Sequence, residues 1–240
     1  MLVVMGCIGQ AKQKDATDST KQTDVANVAG YKIIKQTYAD RKVTINYPQV
    51  TEKSDSKKQE EINEIIKTEA FYILGWYSDA QLDKFSMELD YEIKWQNAEI
   101  LSITYSGLRY LKGTAHPTHV FFTTNINMRE GSRLRLKELV NIDDDFVEKL
   151  KNGKFKAVSP PITLKMLGLT NDRLIEWLNT ADWIGYPKNK HGTYSYFTGD
   201  SLGVSIEVGH AYGDHVEFEV KYQDIANNIK DENEAWKSFR

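Results

Sequence analysis

Five histidines are the first residues of this chain that could do chemistry. His116 and His119 lie close together in the sequence, and His210 and His215 flank a segment that ends in Asp214. A zinc hydrolase needs about three converging ligands, and none of the known zinc-binding spacings is present. We therefore expect no metal, no cofactor and no catalytic residue. A metal-dependent hydrolase that uses His116, His210, Asp214 and His215 stays open as an alternative.

Other catalytic patterns do not occur in the sequence either. There is no Gly-x-Ser-x-Gly elbow and no glycine-rich phosphate loop that ends in Gly-Lys-Ser/Thr. Asp143, Asp144 and Asp145 form an acidic run before a helical pattern. Such charges are favoured at a helix N-terminus by electrostatics alone, so the run predicts a helix start. Calcium binding is the alternative, although an EF-hand loop is not present.

Two loop regions carry residue types that are suited to binding. In "GTAHP", residues 113–117, glycine permits a positive φ and proline restricts the residue before it. The stretch "WLNTADWIGYPKNKHGTYSYF", residues 177–197, is the densest aromatic cluster, and loop aromatics are typical of glycan-binding or protein-binding surfaces. The alternative is that the two tyrosines near its end line a strand face and that the histidines lie in turns. We predict these ligand contacts: Gly113, His116, Pro117, His119, Trp183, Tyr186, Tyr194 and Tyr196.

The elements that must position these residues are mostly strands. Residues 85–95 alternate apolar and polar side chains, and similar short strands are expected over 31–50, 100–105, 118–128, 133–139 and 193–225. Residues 54–77 place apolar side chains on one helical face, and two shorter helices are expected after Asp143 and after Thr170. The pattern predicts an α+β fold, with antiparallel sheets packed against a long N-terminal amphipathic helix and two short helices.

Composition narrows the class of protein. A chain of 240 residues, 40% of them hydrophobic, can bury a sizeable core. A net charge of −3 supplies no basic field for nucleic acid, which we exclude as a partner. No apolar run approaches the roughly 20 residues of a membrane-spanning helix. A single cysteine rules out an internal disulfide.

That cysteine, Cys7, ends the segment Val4-Met5-Gly6-Cys7, which resembles the lipobox of bacterial lipoproteins. In such proteins the chain is cut before the cysteine, and the thiol carries a diacylglycerol. Residues 8–30 are polar and lack aromatics, as expected of a flexible tether. We therefore predict an extracytoplasmic protein that contacts a bacterial membrane only through a lipid on Cys7. The alternative is a disordered N-terminus with an incidental cysteine.

Residues 31–226 resemble the paired modules DUF4163 and DUF3298. The family pattern contains Gly-Gly-Ala-His-Pro, then a strand that ends in Asn-x-Asp, then Gly-x-x-Leu-x-Leu-x-Asp-Leu. Thr114 replaces the second glycine of the first motif, and Glu138 replaces the aspartate of the third. The later segment "VKYQDI" resembles the family's Ile-Pro-Tyr-x-x-Leu, with Lys221 in place of the proline. "YFTGDSLGVSIE" resembles the family's Tyr-Phe-x-x-x-Gly-Leu strand. The positions that match are Gly113, Ala115, His116, Pro117, Asn125, Gly131, Leu134, Leu136 and Leu139, and Asn127 stands at the aspartate of Asn-x-Asp.

The resemblance implies a module of the bacterial envelope. The two modules occur together in the N-terminal region of a peptidoglycan deacetylase and in the extracellular domain of a lysozyme-sensing anti-sigma factor. It implies a non-enzymatic binding domain for a cell-wall glycan or for a wall-active protein such as lysozyme. A hydrolase of cell-wall glycan and a structural envelope subunit are the alternatives. The predicted organisation is a signal remnant (1–7), a tether (8–30), a DUF4163-like module (31–112), a DUF3298-like module (113–226) in one compact unit with the first, and a tail (227–240).

Overall fold

Two β-sheets form the framework of the protein in a computed structural model that describes residues 30–159, 163–185 and 188–239. Within these residues the strand orders are β1-β2-β3-β4-β5-β6 and β7-β10-β9-β8. Neighbouring strands run antiparallel, apart from β2 and β3, which are parallel. The strands are β1 (Lys32–Asp40), β2 (Val43–Thr51), β3 (Phe85–Gln96), β4 (Ile100–Leu111), β5 (Thr118–Asn127), β6 (Ser132–Arg133), β7 (Lys156–Ser159), β8 (Thr193–Phe197), β9 (Ser201–Glu207) and β10 (His215–Lys221).

Several short helices accompany the sheets, and the coarse prediction of a mixed α and β fold with mostly antiparallel sheets is confirmed. Two of the helices begin where the sequence predicts them, because Asp143 and Thr170 cap their first turns by accepting backbone N–H groups. The helices are α1 (Ser56–Ala70), α2 (Asp79–Leu82), α3 (Leu136–Leu139), α4 (Asp144–Lys151) and α5 (Asn171–Asn179).

The predicted long amphipathic helix over residues 54–77 is wrong in its extent. α1 ends at Ala70, and Tyr72–Trp76 forms a separate 3₁₀ turn. At the junction, the ring of Phe71 packs edge-on against Tyr38 and Tyr47 of the first sheet, with ring centroids 5.0 and 5.4 Å away. Helical preference is worth only tenths of a kcal/mol per residue. Aromatic packing against the sheet therefore outweighs the continuing helical pattern.

The expected strand over residues 133–139 also differs from the structure. Only Ser132–Arg133 pairs with β5, and the chain then enters α3. The N–H of Leu136 donates to the buried carboxylate of Asp182 at 2.8 Å, an acceptor that the sequence pattern does not show. The alternating leucines of this segment fit a strand, but this long-range hydrogen bond helps to turn the backbone into α3.

Each sheet has its own hydrophobic core. α1 covers one face of the first sheet, where Ile62 and Ile66 are fully buried together with Phe122 of β5. Phe146 of α4 and Leu178 of α5 are fully buried in the second cluster, against the second sheet. Burial of each such side chain contributes about 1.5–3 kcal/mol. Each core holds its own sheet in place, and the two sheets together form a rigid frame for the side chains where they meet.

Buried polar side chains join the two sheets. Ser102 of β4 accepts the N–H of Phe197 at 2.9 Å and donates to Asn125 of β5 at 2.7 Å. Asn125 in turn donates to the carbonyl of Ser195 in β8 at 2.8 Å. Because every member of this chain of bonds has a partner, the junction carries little desolvation penalty and sets how the sheets meet.

The predicted division at residues 112/113 falls between β4 and β5, which pair from Ile100↔Asn127 to Arg109↔Thr118 inside the first sheet. The two-module organisation itself stays a prediction.

Part of the predicted tail packs on the protein, because Trp236 is buried and its indole donates to the carbonyl of Leu139 at 2.7 Å. The signal remnant and nearly all of the tether lie outside the described residues. Among the described helices, none has the length and apolarity needed to cross a membrane.

Candidate functional site

A cleft of about 240 Å³ lies where the two sheets meet beside the open edge of β5. β6 pairs with β5 only at Ile126 and Asn127, so the rest of that edge has no ladder partner within the described sheets. The first wall comes from β4, β5 and the Tyr72–Trp76 turn, and the second from the ends of β8, β9 and β10. The cleft is therefore a product of the packing of the two sheets.

The rim of the first wall carries an exposed tryptophan. Trp76 leaves 49% of its surface open to solvent, which is unusual for the largest apolar side chain. Tyr72 meets its ring edge-on, with centroids 5.3 Å apart. The guanidinium carbon of Arg109 lies 5.0 Å from the centroid of the same ring, within the range of a cation–π contact. The 3₁₀ turn that interrupts the predicted helix thus places Trp76 beside β4.

Two tyrosines from opposite walls meet in the cleft. Tyr72 and Tyr194 both line the cleft, and each affects the titration of the other. Burial raises the pKa of Tyr72 to about 12, and burial raises the pKa of Tyr194 well above its ordinary value. Both phenols therefore stay neutral at physiological pH and act as hydrogen-bond donors and acceptors rather than as bases.

Charged side chains of both signs also line the cleft. Arg109 and Lys190 supply positive charge, whereas Glu207 and Asp214 supply negative charge. Asp214, at a left-handed φ of 70°, accepts the backbone N–H of His119 at 2.8 Å. Burial raises the pKa of Asp214, but this bond and the contact with His210 outweigh burial and hold the pKa below its usual value. The carboxylate of Asp214 is therefore already engaged in contacts within the protein. Glu207 is the more exposed of the two carboxylates.

The histidines of the hydrolase alternative come together only in part. His210 places Nδ1 3.0 Å from Asp214, and its ring stacks on His116 with centroids 3.4 Å apart. His215 is engaged elsewhere: its ring stacks on Phe121, and its Nε2 lies 3.5 Å from a carboxylate oxygen of Glu217. Within the described part of the chain, no group of three or more His, Cys, Asp and Glu side chains has a geometry that could hold a metal ion.

The acidic run of the calcium alternative has structural contacts of its own. Asp143 accepts the N–H of Phe146 at 3.0 Å as the cap of α4. Asp145 accepts from Lys149 at 2.7 Å and from Asn228 at 3.1 Å. These bonds account for the run as the helix start that its position in the sequence predicts.

The "GTAHP" residues lie near the cleft, but none of them lines it, whereas the next two residues, Thr118 and His119, do. Gly113 has a φ of +106° in the exposed turn between β4 and β5. His116 is exposed and stacks on His210, and Pro117 lines a shallow depression on the outside of the first sheet. His119 lies in the cleft wall. The turn chemistry of Gly113 is as predicted, whereas ligand contacts from this loop stay a prediction.

The aromatic residues of the second region separate into different environments. Tyr194 lines the cleft, but Tyr196 has no exposed surface and donates its hydroxyl to Glu219 at 2.9 Å. Tyr196 therefore faces the interior on its strand, and a ligand contact from its side chain does not fit the structure. Trp183 lies outside the cleft between two cations, Arg135 and Lys188, whose charged groups are 3.8 and 3.9 Å from its ring centroid. Tyr186 lies outside the described residues.

Trp76 and Arg109 are not among the ligand contacts predicted from the sequence, and neither are three other residues that line the cleft, Tyr72, Lys190 and Glu207. Trp76 falls at the end of a helical pattern, where an aromatic residue is read as core. Arg109 belongs to a strand whose other inward residues, such as Tyr105, are buried. A sequence signal does exist for Arg109, since the charge interrupts the inward-facing positions of β4.

Comparisons with known proteins support the fold. A family model described as Deacetylase PdaC matches residues 34–119, about a third of the chain, which include Tyr72, Trp76 and Arg109. A DUF3298 family structure from Bacteroides fragilis NCTC 9343 is 13% identical with a TM-score of 0.56, covering 89% of this chain and 99% of that one. A DUF3298 family protein from Pseudomonas aeruginosa PAO1 is 11% identical with a TM-score of 0.52, covering 84% and 95%. No curated protein matches the chain.

These similarities are to a fold. The chain has the same overall fold as the two DUF3298 family structures, because both align over nearly their whole length. The pairing with a DUF4163 module stays a prediction from the sequence.

Proposed function

We propose that this protein is a non-enzymatic, extracytoplasmic binding domain that recognises cell-wall glycan in the cleft between its sheets. The observation that carries the proposal is the exposed ring of Trp76 at the rim of a cleft lined with polar groups. An aromatic surface beside a few convergent polar groups is typical of small-ligand sites. The ring offers an apolar face to a sugar, and the tyrosine hydroxyls and Glu207 offer hydrogen bonds to its hydroxyl and amide groups.

The resemblance in sequence supports a role at the cell wall. The family model that matches residues 34–119 is named for a deacetylase, and that segment contains the Tyr72–Trp76 turn, β4 and the start of β5 from the first wall of the cleft. In sequence, the chain resembles modules that accompany a peptidoglycan deacetylase. From this resemblance we propose that the chain binds wall glycan. We do not propose that it catalyses the deacetylase reaction for which the matched family is named.

The proposal includes a lipid on Cys7 that anchors the protein to a bacterial membrane, with residues 8–30 as the tether. A tether of this length would let the domain reach glycan at some distance from the membrane surface. Fractionation of cells that express the chain, compared with the variant Cys7→Ser, tests the anchor. Membrane association that depends on Cys7 supports it, and equal distribution of both proteins contradicts it.

Binding to purified peptidoglycan tests the central claim. The whole chain is sedimented with insoluble peptidoglycan, and soluble glycan fragments are titrated by calorimetry. Trp76→Ala should weaken binding at least tenfold, because hot-spot aromatics typically contribute that much when truncated. Tyr212→Ala is the control, since Tyr212 is similarly exposed, at 41%, and does not line the cleft.

Three results would change the conclusion. Glycan binding that Trp76→Ala leaves intact would remove the cleft as the site, and Trp183→Ala would then test the surface predicted from sequence. Saturable binding of lysozyme without any binding of glycan would assign the domain to a protein partner instead. If neither partner binds, the envelope-binding proposal fails, and a structural envelope subunit becomes the better hypothesis.

The hydrolase alternative has one favourable observation, the contact of Asp214 with His210 beside His116. Incubation of the protein with peptidoglycan, with and without added zinc, tests it by the release of reducing ends or acetate. Product formation that His210→Ala abolishes would revive the enzyme. Intact glycan after prolonged incubation, recovered bound to the protein, would support the binding domain.

A further inference from the structure

Arg109 is a charged side chain without a counter-ion among the residues that the structure describes. It is half-buried in β4 and lines the cleft. Arg41, Arg129, Arg133 and Arg135 each contact a carboxylate. Arg109 forms no ion pair with any residue that the structure describes, although it is less exposed to water than a free surface arginine. A half-buried guanidinium without an acceptor has an unfavourable environment until a ligand supplies one.

The contact with Trp76 leaves the guanidinium ready for an anion. Arg109 lies over the indole ring at 5.0 Å. A guanidinium above an aromatic ring keeps its N–H donors available to an acceptor, and their fork geometry matches a carboxylate with two parallel hydrogen bonds. The stack limits the freedom of the side chain, so less entropy is lost when a ligand binds.

The other charges of the cleft do not satisfy Arg109. Asp214 accepts from the His119 amide and contacts His210, and Glu207 is exposed on the second wall. Lys190 lines the same cleft without a recorded ion pair among the described residues and adds a second positive charge. An acidic group bound at Arg109 therefore enters a cleft that carries two cations, whereas Glu207 is left to accept hydroxyl or amide protons of the same ligand.

We propose that Arg109 binds a carboxylate of the glycan ligand and that the cleft prefers acidic amino-sugar glycans to neutral ones. This inference rests on the proposed glycan-binding function and makes its ligand class specific. The carboxylate has two sources in peptidoglycan, the lactyl ether of muramic acid and the stem peptide. Arg109 would bind either group in the same way, with Trp76 against the adjoining sugar ring.

Titration calorimetry on the whole chain with three probes tests the inference. The probes are a peptide-free oligomer of N-acetylglucosamine and N-acetylmuramic acid, the same oligomer carrying stem peptides, and neutral chitotetraose. The unmodified protein should bind at least one acidic probe ten times more tightly than chitotetraose. Tight binding of the peptide-free oligomer identifies the lactyl group as the source, and a need for the peptide identifies the stem peptide.

Arg109→Gln should weaken binding of the preferred acidic probe at least tenfold and change binding of chitotetraose less than threefold. Arg173→Gln is the matched control, because Arg173 is exposed on α5 away from the cleft. Urea unfolding of both variants checks that the fold is retained. The preference for the acidic probe should also decrease between ~0.05 and 0.3 M salt, since a charge contact is screened.

The outcomes separate this inference from the function on which it rests. Equal affinity for acidic and neutral probes, or an equal loss of both in Arg109→Gln, overturns the carboxylate contact and leaves glycan binding in place. Failure of the unmodified protein to bind any of the probes overturns both. If Arg109→Gln does not fold, Arg109→Lys replaces it: lysine keeps the charge but not the two-bond geometry, and an unchanged preference for the acidic probe would contradict the proposed carboxylate geometry.

Discussion

Asp182 lies buried at the junction of the two sheets, and its replacement by asparagine tests how the fold accommodates a charge there. Its carboxylate accepts the N–H groups of Ser195 at 2.6 Å and of Leu136 at 2.8 Å, together with the hydroxyl of Ser195 at 2.7 Å. These bonds favour the ionised form, whereas burial favours the protonated form. Burial prevails and raises the pKa of Asp182 to about 6.

The expected effect on stability follows from this pKa. An unfolded aspartate has a pKa of about 3.9, so the native state binds the proton more tightly. The resulting stabilisation is complete below about pH 3.9 and is lost as the pH rises through about 6. Between pH 7 and pH 5 it amounts to about 1 kcal/mol in the free energy of unfolding. Asp182→Asn cannot titrate and loses this dependence.

The measurement is urea unfolding of the protein and of Asp182→Asn at pH 5, 6 and 7. The stability of the protein relative to the variant should rise by about 1 kcal/mol from pH 7 to pH 5. Asparagine suits the left-handed φ of 64° at this position, so the backbone itself does not oppose the change. The matched control is Asp172→Asn on the exposed surface of α5, which makes the same substitution at a carboxylate that is not buried.

A stability difference between the protein and Asp182→Asn that does not change with pH, or that grows as the pH rises, would refute the reasoning. It would mean that the hydrogen bonds outweigh burial and that the pKa lies at or below its ordinary value. If Asp182→Asn does not fold, ¹³C NMR titration of the carboxyl groups in the unmodified protein answers the same question. A carboxyl midpoint near 6 supports the argument, and the absence of any aspartate with a raised midpoint contradicts it.

Three further changes have expected results that urea unfolding can measure. Gly203→Ala should destabilise the protein by more than 1 kcal/mol, because an added Cβ would meet the ring of Tyr196, and Tyr196→Leu should relieve part of the loss. Asn125→Ala should lower the free energy of unfolding by about 1–3 kcal/mol, because the carbonyl of Ser195 loses its donor in the buried junction, and an unchanged stability would mean that water replaces the amide. Ile66→Ala should lower it by about 2–5 kcal/mol through the cavity left under α1, whereas a loss below 1 kcal/mol would show that the core collapses around the change.

Local patterns in the sequence predicted the elements whose signals are local. The period-two alternation over 85–95 lies in β3, and the caps Asp143 and Thr170 begin α4 and α5. These signals work because a strand exposes alternate faces and a helix start needs an acceptor for its first N–H groups. The left-handed turn at Gly113 is of the same kind, since glycine tolerates that backbone locally.

The sequence failed where distant residues decided the local structure. The helical pattern continues past Ala70, but Phe71 is drawn out of the helix by rings from β1 and β2. The alternating leucines of 133–139 suggest a strand, but Asp182, far along the chain, binds the N–H of Leu136. Periodicity records which face is apolar and cannot say what covers that face.

The candidate site shows the same division. By itself the sequence determined the class of fold, several element boundaries and the residue types available for binding. Only the tertiary structure decided that Trp76 and Arg109 form one wall of a cleft, and that Tyr196 turns inward while Tyr194 lines the cleft. The reason is that the cleft lies between two sheets with separate cores, and their relative position is set by long-range hydrogen bonds such as Asn125 to Ser195.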